Sequence, residues 1–286
     1  MHIPERKGKT AALNRAMKYV KTPYTIFSDA NSMLVTRTVK ELITGLRQSG
    51  VGCVAGEKRV ISKEKDKAVS AGEGIYWTYE SIIKQLESQV GTTIGAAGEI
   101  YGIRTGLFVP PNENTILDDF VASLAIALKG YQIKYRPQAI AQEYASLNIR
   151  EEVKRKTRIA AGGFQVLFGN LSLLNFFKHF MLSFQYFSHK VLRWLFVPLS
   201  LLTLPIINLL IILEDRYQTF YMMVFYLLLL FFLTALIGGL LREKPIKQKV
   251  LFAPFYLLLM NFSIIMGFIR FLKKNQNAAW EKAKRA

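Results

Sequence analysis

The pattern of hydrophobic and polar positions divides this 286-residue chain near residue 165. Before that point, short apolar runs of strand length alternate with amphipathic runs of helix length, which is typical of a mixed α/β domain. After it, leucine, phenylalanine and isoleucine dominate, and three segments reach the roughly 20 residues that a helix needs to cross a bilayer. These segments are residues 191–213, 219–241 and 250–272.

The first part of the chain predicts alternating strands and helices. A short apolar run bounded by turn residues indicates a buried strand, whereas apolar residues three or four apart indicate a helix that packs on one face. The predicted strands are residues 24–27, 51–57, 59–61, 100–103, 131–135 and 139–144. The predicted helices are residues 10–20, 35–46, 72–88, 120–128 and 149–159.

Residues 164–187 are amphipathic and aromatic, too polar for a clean membrane span, and predict helices that lie in the membrane interface. We therefore divide the chain into four parts. They are an α/β domain (1–163), interface helices (164–190), a membrane region (191–272) and a basic tail (273–286).

Two adjacent acids, Asp118 and Asp119, precede the helix whose apolar face carries Phe120, Leu124 and Leu128. Negative charge at the start of a helix is stabilised by the helix dipole, and that effect alone accounts for an acidic pair here. Acids that serve chemistry are the alternative, and the pattern of the helix does not decide between them.

A second acid, Asp29, directly follows the predicted strand 24–27, and Asn31 lies two residues further on. In open α/β sheets the ligand site lies at the carboxyl ends of strands, and two oxygen ligands this close can share one hard cation such as Mg²⁺ or Mn²⁺. A polar turn that caps the next helix explains the same residues without a metal.

Two basic segments are candidates for anion binding. Lys7 and Lys9 lie at a predicted helix N-terminus, where free N–H groups favour anions, although an exposed basic loop has the same composition. Residues 149–159 include Arg155 and Arg158, whose forked guanidinium groups match phosphate oxygens. A solvated basic helix is the alternative for this second segment.

The net charge of +18 indicates anionic partners, which include nucleic acid, phosphate-bearing substrates and the inner membrane leaflet. Because the basic residues lie beside the apolar segments, anionic lipid and a diphosphate ligand explain the charge more simply than nucleic acid does. A single cysteine, Cys53, excludes an internal disulfide, and the isolated His179 and His189 do not indicate a metal site. No ionisable residue lies in the middle of an apolar segment, which argues against a transporter.

The basic connector at 242–249 predicts that this loop and residues 1–190 lie on the cytoplasmic side. The same count of spans puts the basic tail outside, against the positive-inside rule. Two arrangements would resolve the conflict. Either the helix at 164–187 dips across the membrane, or the third apolar segment, which contains Pro254 and Asn261 and ends in Arg270, is only partly inserted.

Several short elements occur in a familiar order: GKTAALNRA, SDAN, EGIYWTYE, GAAGEIYGIR, LDDF, RKTRIAAGGFQ and SHKVLRW before the apolar segments. Together they resemble the membrane glycosyltransferases of family 2, the group that includes poly-N-acetylglucosamine, hyaluronan, chitin and cellulose synthases. The resemblance implies a cytoplasmic GT-A catalytic domain of α/β class, followed by interfacial helices and about three transmembrane helices of the cell (plasma) membrane. It also implies a nucleotide-sugar donor, a glycan acceptor and a divalent metal, Mg²⁺ or Mn²⁺.

The resemblance assigns roles to particular residues. The family's metal-binding element matches Asp29-Ala30-Asn31, so Asp29 and Asn31 are the implied metal ligands. Its acidic catalytic triplet matches Leu117-Asp118-Asp119, which makes Asp119 the implied general base. The family's Gln-x-x-Arg-Trp element matches residues 155–159 only at Arg158. The implied substrate-binding residues are Lys9, Asn14, Arg155 and Arg158.

Family members place spans and a first β-α-β unit, with an aspartate that contacts the base, before the element GKTAALN. From this difference we expect an N-terminally truncated transferase, and a further polypeptide that supplies the unit is a possible partner. A non-catalytic relative, fragment or assembly subunit of a polysaccharide synthase is the alternative function, which the retained Asp29, Asp119 and Arg158 argue against.

Overall fold

The computed structural model describes residues 7–61, 67–214, 218–242 and 249–274. The strands are β1 (Tyr24–Ser28), β2 (Met33–Leu34), β3 (Val51–Ile61), β4 (Ile100–Arg104) and β5 (Gln132–Tyr144). The helices are α1 (Gly8–Met17), α2 (Thr38–Leu46), α3 (Lys67–Val90), α4 (Asp118–Leu128), α5 (Ile149–Gly169), α6 (Phe180–Tyr186), α7 (Val197–Leu213), α8 (Gln218–Leu240) and α9 (Lys249–Leu272). Short 3₁₀ turns cover Thr105–Leu107 and Leu171–Leu174, and a π-helical segment covers Phe187–Phe196.

The five strands form one mixed sheet in the order β1-β4-β3-β5-β2. The central pair, β3 and β5, is parallel, and the other pairs are antiparallel. The predicted strand pieces 51–57 and 59–61 form a single strand, as do 131–135 and 139–144. The gap between the second two predicted pieces contains Pro137, which cannot donate to the ladder. The strand accommodates it in a bulge, since Gly56 pairs with Arg136 and Glu57 with Ile140.

Each face of the sheet is covered by helices. On one face, Leu42 and Leu46 of α2 pack against Val54 and Ala141. On the other, Ile126 of α4 and aromatic residues of α5 pack against β4 and β5. Helix α2 begins at Thr38 rather than at residue 35, because Met33 and Leu34 pair with β5 instead.

Helix α3 lies over a layer of buried charges. The helical pattern of the sequence puts Glu73, Glu80 and Glu87 at polar positions of this helix, but all three are buried. Glu73 binds Arg155 of α5, and Glu80 accepts from Lys190 at 3.0 Å and from Arg193 at 2.7 Å. The polar face of α3 therefore meets basic groups of other helices rather than water.

The three predicted apolar segments are confirmed as helices that are long and apolar enough to cross a membrane, at Phe180–Leu213, Thr219–Leu240 and Phe252–Leu272. The first is longer than expected because α6, the π-helical segment and α7 follow one another without a break. Tyr186, in the stretch that was expected to lie in the membrane interface, is completely buried. The proposed division at residue 163 falls inside α5, whose Phe164 and Leu167 belong to the core.

Helix α9 differs from its neighbours because it packs along the α/β domain. A third of its apolar window is buried, against 6% for α8. Its Gly267 lies so close to α5 that a Cβ there would come within 2.5 Å of Ala160 Cβ. At its other end, Tyr256 donates a hydrogen bond to the buried Glu152.

The substitution Glu80→Gln tests the contribution of the buried charge layer. It removes the carboxylate that faces Lys190 and Arg193, and it leaves these cations without their counter-charge. Breaking a buried pair from one side typically costs about 3 kcal/mol or more. We expect the thermal unfolding midpoint of the detergent-purified protein to fall by several degrees. Glu113→Gln, at an exposed position, is the control, and equal midpoints for the two variants would contradict the expectation.

Candidate active site

Charged side chains from three separate parts of the chain meet at one edge of the sheet. The Lys9 Nζ atom lies 2.9 Å from Asp29 Oδ1 and 3.5 Å from Asp118 Oδ2. The carboxylate of Asp119 joins this group across Gly98. Asp118 is almost completely buried, whereas Lys9 and Asp29 remain partly exposed, so the cluster has a buried side and an open side.

The elements that carry these residues are fastened to one another. Thr10 of α1 donates a hydrogen bond to the carbonyl of Thr115 at 2.9 Å, and Asn14 donates to the carbonyl of Pro111 at 2.7 Å. These two bonds hold the first two turns of α1 against the loop that leads into Asp118. Strand β1 ends at Ser28, whose hydroxyl donates to the carbonyl of Glu99. Asp29 is thereby held beside the segment that contains Gly98.

Because Gly98 has no side chain, a small space remains between the charged groups of the cluster. A Cβ at this position would lie 3.2 Å from both Asp119 Oδ2 and Lys9 Nζ, and 3.4 Å from Asp29 Oδ2. Two carboxylate oxygens and an ammonium group therefore surround one small volume above the backbone of Gly98. A bound group can approach all three only because this residue has no side chain.

Burial and neighbouring charges shift the pKa values of the two acids in the same direction. Burial and, after it, the Asp118 carboxylate raise the pKa of Asp119 to about 7, and Lys9 opposes the rise. Burial also raises the pKa of Asp118, again against Lys9. Burial alone would lower the pKa of Lys9, but the carboxylates of Asp118, Asp119 and Asp29 raise it overall. Lys9 is therefore a fixed positive charge, and Asp119 can exchange a proton near neutral pH.

Arg158 of α5 belongs to the same electrostatic environment. Burial lowers its pKa, whereas the carboxylates of Asp118, Asp119 and Asp29 act in the opposite direction. The helix is positioned by Gly162, where a Cβ would lie 2.8 Å from Leu117 Cγ. This close contact holds α5 directly against the residue that precedes the two acids.

Three of the predicted site residues are not brought into the cluster. Asn14 fastens α1 through its bond to Pro111, as described above. Asn31 donates a hydrogen bond to Glu143 at 3.1 Å, so its amide group faces a buried glutamate. Arg155 does not form the expected clamp at the site, because its guanidinium group binds Glu73 at 2.5 Å and Glu152 at 2.8 Å.

The residues present fit a divalent cation that takes most of its ligands from a substrate. In the described ranges, no three histidine, cysteine or acidic residues are grouped with metal-ligand spacing. Asp29 contributes one accessible carboxylate, and the buried Asp118 Oδ2 atom has no hydrogen-bond partner. Mg²⁺ is usually bound by one or two carboxylates together with substrate phosphates, so a single carboxylate is sufficient for such a site.

Two residues beside the cluster were not identified from the sequence. Glu99 follows Gly98, and its carboxylate is 2.6 Å from the buried ammonium group of Lys58. The Lys58 Nζ atom also lies 2.8 Å from Glu143. The glycine-rich composition of residues 91–106 was the available signal for Gly98, whereas nothing in the local pattern distinguishes Lys58 or Glu99 from exposed charges.

Residues 65–237 match the family described as Glycosyl transferase family group 2, and residues 1–105 match Glycosyl transferase family 2. The first match covers more than half of the chain. The chain belongs to glycosyltransferase family 2. This confirms the family that the sequence elements resembled.

The curated relatives of this family 2 glycosyltransferase include poly-beta-1,6-N-acetyl-D-glucosamine synthases of Staphylococcus aureus strains COL and MSSA476. Each is 25% identical over 207 residues, which cover 69% of this chain and 49% of the relative. The chain thus spans about half the length of the curated relatives it matches.

Among solved structures, the mannosyltransferase PcManGT from Pyrobaculum calidifontis, determined in complex with GDP-Man and Mn²⁺, has a similar fold. Its TM-score is 0.61 at 17% identity, over 96% of this chain and 69% of that chain. The fold of this chain is accordingly GT-A-like, with an α/β sheet followed by helices, three of which are apolar enough to span a membrane.

The substitution Gly98→Ala tests whether the space at the centre of the cluster is used. The added Cβ would press against Asp119, Lys9 and Asp29, so we expect glycosyl transfer to fall at least tenfold while the unfolding midpoint changes little. Gly106→Ala is a matched control in the same glycine-rich segment, because a Cβ there meets nothing within 4 Å. Equal activities of the two variants would show that the space is not part of the reaction.

Proposed function

We propose that the chain transfers a sugar from a nucleotide-sugar, with a UDP-sugar as the first candidate, to a glycan acceptor, with Asp119 as the general base. The observation that supports this most directly is the carboxylate of Asp119 at the open space above Gly98, with a pKa of about 7. A base is most effective when its pKa lies near the working pH, since it is then both ionised and able to hold a proton.

In the proposed reaction, Asp119 accepts the proton of an acceptor hydroxyl group. The hydroxyl oxygen forms a bond to the anomeric carbon of the donor, the bond from that carbon to the diphosphate breaks, and the nucleoside diphosphate leaves with the electron pair. Asp118 contributes by keeping the ammonium group of Lys9 in place and by raising the pKa of Asp119.

Positive groups around the cluster are suited to the charge that develops on the leaving diphosphate. Lys9 and Arg158 are the candidates from this chain, and preorganised charge of this kind is a major source of rate enhancement. Mg²⁺ or Mn²⁺, held by Asp29 together with donor phosphates, would neutralise part of the same charge when bound. The Mn²⁺ in the mannosyltransferase complex supports this choice of cofactor.

We propose further that residues 1–163 act at the cytoplasmic face of the plasma membrane. Residues 164–190 would link this part to the apolar helices of 191–272, and 273–286 would form a basic tail. The three apolar helices and the basic residues at 242–249 support this arrangement.

The substitution Asp119→Asn should lower kcat by roughly 10²–10⁴-fold and leave donor binding unchanged, because the amide cannot accept the proton. The control is Glu113→Gln, which alters an exposed acid on the loop before α4. If Asp119→Asn lost donor affinity and turnover equally, the assignment of Asp119 as the general base would be contradicted. A wild-type chain that binds donor but never transfers sugar would favour a non-catalytic subunit.

The rate of the wild-type chain should fall as the pH drops below about 7, since protonated Asp119 cannot act as a base. Because the Asp118 carboxylate raises the pKa of Asp119, Asp118→Asn should shift the fall in rate to lower pH. If the rate of this variant fell at the same pH as that of the wild type, the coupling of the two acids would be contradicted.

Removal of divalent metal should abolish transfer, and Mn²⁺ or Mg²⁺ should restore it. We expect Asp29→Asn to raise the metal concentration needed for half-maximal rate at least tenfold, because the variant loses the accessible carboxylate of the site. Glu113→Gln should leave that concentration unchanged. Full activity in the presence of a chelator would eliminate the metal from the proposal.

A further inference from the structure

The last turns of α9 are held firmly against α5. A Cβ on Gly267 would lie 2.5 Å from Ala160 Cβ and 2.9 Å from the carbonyl oxygen of Thr157, so the two backbones are nearly in contact. On the same stretch, Phe268 packs on Phe164 with ring centroids 4.9 Å apart. These contacts fix the end of α9 along the stretch of α5 from Thr157 to Phe164, which also carries Arg158.

The charged residue on this stretch of α9 is Arg270, about one helical turn after Gly267. Arg270 is partly buried, and it makes no ion pair or hydrogen bond to any residue in the described ranges. Its charge reaches Arg158, since burial and then the Arg270 guanidinium both lower the pKa of Arg158, while Asp118 raises it. Two arginines from different helices therefore lie within range of each other's charge, where α9 packs on α5.

Two neighbouring cations repel each other, and both lose hydration when helices pack around them. An anion between them would relieve this cost. Guanidinium groups bind phosphate oxygens in pairs of parallel hydrogen bonds, and a diphosphate has enough oxygens for two such groups. The acids of the cluster repel an anion, so a phosphate would favour the side on which the arginines lie.

We propose that Arg270 of α9 joins Arg158 of α5 in a binding site for a diphosphate, the leaving group of the donor. The inference deepens the proposed function and rests on it for the identity of the ligand. It gives α9, a helix long and apolar enough to cross a membrane, a direct part in substrate binding as well. A lipid phosphate is a second source of the same chemistry, because a basic side chain near the end of an apolar helix can reach a lipid headgroup.

The test measures binding of inorganic pyrophosphate to the full chain in neutral detergent, by thermal stabilisation and by calorimetry. Pyrophosphate has the diphosphate group of the proposed ligand but lacks the sugar and the nucleobase. We expect it to stabilise the wild type, and we expect Arg270→Met to weaken its binding roughly tenfold or more, as for a lost charged hydrogen bond. Arg270→Lys should bind with intermediate affinity, because it keeps the charge and loses the fork.

The matched control is Lys273→Met, which removes one positive charge from the exposed surface just after α9. It should bind pyrophosphate as the wild type does. Equal weakening in Lys273→Met and Arg270→Met would reduce the effect to overall charge and overturn the proposal. So would unchanged binding in Arg270→Met, or the absence of pyrophosphate binding by the wild type.

A second measurement separates the two sources of phosphate. If Arg270→Met loses affinity for phosphatidylglycerol vesicles and keeps its affinity for pyrophosphate, Arg270 serves the lipid surface and the proposal is wrong. If pyrophosphate binding depends on Arg270 but no nucleotide-sugar is turned over, the anion site stands and the glycosyl-transfer proposal fails.

Discussion

The ion pairs of the buried Lys58 ammonium group connect the segments that carry the candidate site. This group lies 2.6 Å from Glu99 and 2.8 Å from Glu143, on either side of the turn that carries Asp29. Glu143 in turn accepts hydrogen bonds from Asn31 and Ser32, and the carbonyl of Glu99 accepts one from Ser28. Buried charges are tolerated only when they are paired, so each of these contacts depends on the others.

The position of Asp29 therefore depends on the ion pairs of Lys58, a buried residue that is not part of the cluster itself. The same principle governs the other acids. Asp118 keeps Lys9 close, and Lys9 limits how far burial raises the pKa of Asp119. A site with three carboxylates around one ammonium group has an excess of negative charge, which is a suitable environment for a metal-bound, phosphate-bearing ligand.

Local pattern was sufficient for elements whose apolar residues repeat with a single period. The strand at 100–103 and the helix after the acidic pair were found in this way, and so were the three long apolar helices. The resemblance of short elements was sufficient for the family and for the GT-A-like fold. It also named Lys9, Asp29, Asp118, Asp119 and Arg158, which the fold gathers into one region; the roles assigned to them remain predictions.

Other features depend on contacts between residues distant in the chain, and sequence periodicity contains no information about these. A polar helix face predicts that something polar lies opposite, but that can be water or a second charged helix. This ambiguity explains why the glutamates of α3 were not recognised as buried. It also explains Arg155, whose chemistry suits a phosphate but whose position on α5 directs it to Glu73.

The π-helical segment at Phe187–Phe196 has a mechanical consequence for the long helix that contains it. It carries His189, Lys190 and Arg193, which contact the glutamates of α3, and it continues directly into α7. Each residue of an α-helix turns the chain by about 100°. The length of this segment therefore sets the rotational phase of α7: one residue more or fewer would turn a different side of the apolar helix toward its surroundings while the charged contacts stayed in place.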